Sequence, residues 1–100
     1  MIRHIVTFTF RDAMGRTRAE NALLVKERLD ALPALIPEIL KSETHLNAPG
    51  TDAGNADLVL ISDFESREAL AAYLVHPDHK AVGALMAPIR TARSAIDLEF

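Results

Sequence analysis

One hundred residues with a formal net charge of -3 and no cysteine make one domain's worth of chain, without disulfides, thiolate zinc sites or a cysteine nucleophile. The acidic balance, pI near 5.7, lacks the electrostatic footprint that nucleic acid or an anionic membrane requires. At 49% hydrophobic residues the chain carries more apolar surface than a core of this size uses, a first indication of an oligomer interface.

The chain enters a strand pattern at once. Residues 2–10 alternate, with Ile2, His4, Val6, Phe8 and Phe10 on one face and Arg3, Ile5, Thr7 and Thr9 on the other. There is no signal-peptide core and no apolar run long enough to span a bilayer, so a soluble cytoplasmic protein is expected. Arg11 to Gly15 turns the chain. From about Thr17 to Leu32 the period becomes helical, with Ala22, Val25, Leu29 and Leu32 on one stripe and a capping box from Thr17 to Glu20. Pro33 ends this helix, and Pro37 keeps the following residues irregular.

Ile39 to Leu46 reads as a weaker, edge-like strand, and residues 47–55 carry every signal of a loop. Asp57 to Phe64 is apolar on both faces, with Leu58, Leu60 and Phe64 on one and Val59 and Ile61 on the other. Such a strand is covered on both sides. Ser66 caps a helix whose expected buried stripe is Ala69, Leu70, Tyr73 and Leu74. The helix stops at His76-Pro77, and Pro77 starts another that runs to about Ala87, with Val82, Leu85 and Met86 inward. Ser94 to Phe100 alternates again as the last strand.

The order β-α-β-β-α-β predicts an α+β, ferredoxin-like protomer: a four-stranded antiparallel sheet with helices on one face. Its bare face would expose Ile5, Val59 and Ile61. The chain is too short to cover that face with a second sheet of its own, so a homodimer is expected, with two sheets meeting. Asp63 and Glu65 would sit on that face as rim charges or cross-dimer pairs.

The histidines carry the candidate chemistry. His4, among apolar residues on the helix side of the sheet, is either a structurally satisfied imidazole or a general base favoured by desolvation. His79, in the first turn after Pro77, faces the positive end of a helix dipole that disfavours imidazolium. The competing reading is a surface histidine. Tyr73 is a holder of a carbonyl or enolate oxygen, or equally a core aromatic. Asp97 is a candidate partner for a histidine, and His76 reads as a cap. A metal site from His4, His76 and His79 lacks helical ligand spacing and a placed carboxylate, so no metal is assigned.

Several blocks together resemble the stress-responsive dimeric α/β-barrel (Dabb) family: Arg3-His4-Ile5-Val6-Thr7-Phe8-Thr9-Phe10, Ile36-Pro37-Glu38-Ile39, Asp57-Leu58-Val59-Leu60, Asp63-Phe64-Glu65-Ser66 and Ala72-Tyr73-Leu74-Val75-His76-Pro77-Asp78-His79. The resemblance spans essentially the whole chain and implies a dimeric α/β barrel. The family includes plant stress proteins and a cofactor-free plant polyketide cyclase that forms olivetolic acid. That cyclase's catalytic histidines match His4 and His79, and one pocket tyrosine matches Tyr73. Its second pocket tyrosine falls at about Leu29, a departure that separates this chain from the cyclase's particular substrate.

The resemblance implies His4, Tyr73 and His79 as catalytic residues. It also implies a protomer pocket lined by Val6, Phe8, Leu29, Leu60, Leu74 and Val82, with Asp97 at the ligand. A small apolar or aromatic ligand, no cofactor, and cyclase- or lyase-like acid/base chemistry are expected. A non-catalytic stress or ligand-binding protein is the alternative, and a monooxygenase-like barrel the second.

Overall fold

The computed structural model describes residues 1–100. Four strands and three helices follow in the order β1 (Ile2–Phe10), α1 (Arg18–Ala31), β2 (Lys41–Leu46), β3 (Leu58–Phe64), α2 (Arg67–Val75), α3 (Pro77–Met86) and β4 (Arg90–Glu99). The sheet order is β2-β3-β1-β4, antiparallel throughout, so β3 is inserted between β1 and β2. This is the split β-α-β arrangement of a ferredoxin-like α+β fold.

Local chemistry sets each boundary. The Glu20 N–H donates to Thr17 Oγ1 and the Thr17 N–H donates to the Glu20 carboxylate, which closes the capping box on α1. A short 3-10 turn, Leu32–Ala34, follows α1 at Pro33. Ser66 caps α2 by accepting from the Ala69 N–H at 3.1 Å. Pro77 takes the first position of α3, where its missing N–H costs no hydrogen bond.

Strand parity then builds the core. Along β1 every even residue is buried and every odd one half-exposed. Val6, Phe8 and Phe10 meet Leu58, Leu60 and Phe64 from β3, and Ala22, Val25 and Leu29 from α1 close over them. Each large side chain buried here contributes about 1.5–3 kcal/mol relative to exposure. No helix is long and apolar enough to cross a membrane.

The opposite face of the sheet is bare. Ile5 pairs with Ile61 on one side and Ile96 on the other, which makes an isoleucine row across three strands. Arg3 forks onto Asp63, its direct cross-strand neighbour, through Nε and Nη2 at 2.8 and 3.0 Å. Asp63 is thus satisfied within its own protomer, where a rim charge or cross-dimer pair was expected.

Two boundaries and one burial assignment differ from expectation. β2 begins at Lys41, because Ile39 is buried while the backbone is still leaving the turn after Pro37. β4 begins at Arg90, four residues before Ser94; it pairs along all of β1 but hides none of its residues, so no apolar alternation marks its start. Leu74 is 38% exposed and leaves the buried stripe of α2, which reaches the core through Leu70 and Tyr73.

Candidate functional site

Where α2 and α3 bend at His76-Pro77, a polar cluster interrupts the apolar layer. It starts in the sheet. His4 stands opposite Ser62 on β3 and Asp97 on β4, and Ser62 stands opposite Ser42 on β2. One polar row therefore crosses the helix-facing side of all four strands. Ser42 and Ser62 share a hydrogen bond of 3.1 Å, and Ser62 is fully buried. Neither serine stood out in the sequence, since each is one small polar residue in a strand pattern. Only the β1–β3 register places Ser62 beside His4.

His4 is 3% exposed and its Nδ1 lies 2.5 Å from Asp97 Oδ1. An ionised carboxylate only accepts, so Nδ1 carries the proton and Nε2 keeps the lone pair. His79 is arranged the same way from the other side. Its Nδ1–H donates to the Leu74 carbonyl at 3.1 Å, across the break between α2 and α3. Both histidines therefore keep Nε2 for chemistry. Burial pushes the His79 imidazole below its ordinary 6.5, against the Leu74 hydrogen bond, which raises it. Nearby charge on His4, Arg93 and His76 lowers it further.

Tyr73 lies between them. Its ring centroid is 4.5 Å from His79, 6.2 Å from His4 and 4.9 Å from Phe64. Desolvation pushes its phenol up to about 12, with Arg93 pulling the other way. It is thus a neutral donor at any physiological pH. His76 caps α3, its Nδ1 accepting from the Asp78 N–H at 3.1 Å.

The structure thus brings His4, Tyr73, His79 and Asp97 together. It places the other expected contacts differently. Val6, Phe8, Leu29 and Leu60 are packed core, filling the space between sheet and α1, and Leu74 faces outward. Val82 is buried on α3 and edges a small groove against α1. A cavity of about 350 Å³ opens beside the cluster, bordered by Ile2, Arg67, Leu70, Asp97 and Glu99. Asp97 is shared between that cavity and His4. The structure holds no group of three or more His, Asp or Glu side chains able to ligate a metal ion.

Against this geometry, comparison with known proteins is informative. The family described as "Stress responsive A/B Barrel Domain" (Dabb) matches residues 2–100. A dimeric ferredoxin-like protein of unknown function from Bacteroides fragilis is 35% identical, covering 99% of this chain and 95% of that one, with a TM-score of 0.79. A second dimeric ferredoxin-like protein of unknown function, from Thermobifida fusca, is 32% identical over 99% of this chain and 90% of that one, TM-score 0.81. The hydroxynitrile lyase of Passiflora edulis is similar in fold alone: 14% identical, 97% and 90% covered, TM-score 0.78. Among curated proteins there is no match.

Proposed function

The chain belongs to the stress-responsive A/B barrel domain family, and from that premise we propose a homodimer whose protomer site performs cofactor-free acid/base chemistry on a small apolar or aromatic carbonyl compound. The reaction is of cyclase or lyase type. The observation that carries this reading is the pair of imidazoles flanking Tyr73, each with Nδ1 tied to a fixed acceptor.

That arrangement divides the labour. His79 Nε2 is the base that takes a proton from carbon beside the carbonyl or from a hydroxyl, and its lowered proton affinity keeps it free near neutral pH. Negative charge then develops on oxygen. The Tyr73 hydroxyl donates to it, while Asp97 holds the His4 ring in place beside Tyr73. His79 returns its proton to the product. Hydroxynitrile lyase chemistry, proton removal from a hydroxyl with loss of a carbon leaving group, needs the same three roles. At 14% identity that relative supports the fold, and the residues of this chain carry the chemistry.

A binding protein without turnover is the second reading, favoured by the burial of Tyr73 (1% exposed) and His4 (3%). One experiment separates the two. Aromatic β-dicarbonyls, cyanohydrins and their products are screened for turnover and for binding, on wild type and His79→Gln. The acid/base reading expects a turned-over compound whose rate falls about 10²-fold in His79→Gln while binding persists. Undiminished turnover in His79→Gln ends that reading, and compounds that bind without ever reacting establish the second.

The homodimer rests on the bare sheet face. Ile96 is 56% exposed and Leu98 41%, beside half-exposed Ile5, Ile61 and Val59. A second sheet covers such a face at the usual spacing of about 10 Å, and both bacterial relatives are described as dimeric.

A further inference from the structure

β4 brings one more residue to the cluster. The register sets Asp97 opposite His4, Ala95 opposite Val6 and Arg93 opposite Phe8, so all three stand on the helix-facing side of the edge strand. Every residue of β4 is exposed. Arg93 and Asp97 therefore flank an open strip with the small Ala95 between them, about 13 Å apart along the backbone at ordinary strand rise. The Arg93 charge acts on both Tyr73 and His79, lowering the proton affinity of each.

Three arginines, Arg28, Arg90 and Arg93, have neither a carboxylate nor another acceptor on the guanidinium, and of these Arg93 is the one whose charge reaches Tyr73 and His79. Arg3, Arg18 and Arg67 each hold a carboxylate, on Asp63, Asp57 and Glu99. Arg11 donates to the Pro88 carbonyl and Arg16 to Asn21. Arg93 has no carboxylate within ion-pair distance, while the two acids on that face of β4, Asp97 and Glu99, are engaged by His4 and Arg67. A guanidinium so placed offers its fork to an incoming planar anion.

Resting on the acid/base reading of this site, we propose that Arg93 is its specificity-determining residue, and that the compound it takes carries a carboxylate on its aromatic or apolar body. One guanidinium matches one carboxylate in charge and in bidentate geometry. A phosphate, with nearly twice the charge, would be repelled more strongly by the Asp97 carboxylate on the same strip. The anion is held at the Arg93 end, and the reacting carbonyl points along the strip toward Tyr73 and the histidines.

The single tyrosine makes the test specific, because tyrosine-selective labelling gives one ring signal and that ring lies in the site. The full chain is titrated at pH 7.5 with 3-phenylpropanoate, its carboxamide and phenyl phosphate, for wild type, Arg93→Gln and Arg93→Lys, following the Tyr73 ring signal. Wild type should bind the carboxylate about tenfold or more tighter than the carboxamide, as a charge-assisted fork implies. Arg93→Gln should erase that preference, and Arg93→Lys should keep part of it. Arg93 is exposed, so the variants should melt with wild type.

A preference that survives Arg93→Gln, equal binding of acid and amide, or no saturable shift from either probe would overturn the assignment. So would tighter binding of phenyl phosphate. Equal binding with His79-dependent turnover of a neutral carbonyl compound would remove the anion assignment alone and leave the acid/base reading standing.

Discussion

At His79 two influences oppose each other: partial burial disfavours the cation and the Leu74 carbonyl favours it, and burial wins. The folded protein therefore holds this proton less tightly than the unfolded chain, whose imidazole titrates near 6.5. Above that pH the side chain is neutral in both states and contributes nothing to pH dependence. As pH falls through 6.5 toward the lower folded value, the unfolded chain takes up the proton first and stability is lost. Urea midpoints measured from pH 7.5 to 5 should decline less in His79→Gln than in wild type. Equal slopes in the two proteins would contradict the burial of the ring. The same titration governs catalysis, whose acidic limb should lie below pH 6.5. Tyr73 does not titrate in that range, since its phenol is pushed up to about 12. Tyr73→Phe keeps the ring against Phe64 and removes only the donor, so kcat should fall about 10²-fold with KM little changed. Steady-state kinetics would show a rise in KM alone if the hydroxyl served only ground-state binding.

Tyr73 is held in place by α2, a nine-residue helix that reaches the core through two buried side chains. So short a helix depends on its ends. Ser66→Ala removes the acceptor of the Ala69 N–H and should cost about 1 kcal/mol, read as a lower urea midpoint at unchanged slope. Elements of this kind were legible in the sequence because their signals are local: the serine cap, Pro77 at the start of α3, the Thr17–Glu20 box and the strict alternation of β1. The first four residues of β4 were not, since Arg90 to Arg93 lie on an exposed edge and an edge strand needs no apolar pattern. Leu74 misled for the converse reason, because an apolar residue one step from a buried tyrosine need not be buried itself. At the site, His4, Tyr73 and His79 were recognisable as chemistry-bearing residues. Ser62 and Arg93 were not, since their places depend on which strands pair and in what register.

At the scale of the whole molecule, the Ile61–Ile5–Ile96 row is the test of assembly. Ile96 is mostly exposed in the protomer, so Ile96→Asp should leave a lone protomer's fold almost untouched. In a face-to-face dimer it would bury an unpaired carboxylate beside isoleucine. Sedimentation equilibrium should find wild type dimeric and the variant monomeric, and a variant that stays dimeric would place the contact elsewhere. The sheet order has a consequence for synthesis as well. β1, the first strand made, takes its neighbours from β3 and β4, the third and the last. A growing chain therefore carries β1 with both edges open until β3 has emerged, and with one edge still open until β4 follows. The His4–Asp97 link, joining residues 93 positions apart, closes only at the end. A stalled or clipped chain lacking β4 would retain its histidines without a site to hold them, and would present the edge of β1 to its neighbours as a seed for aggregation.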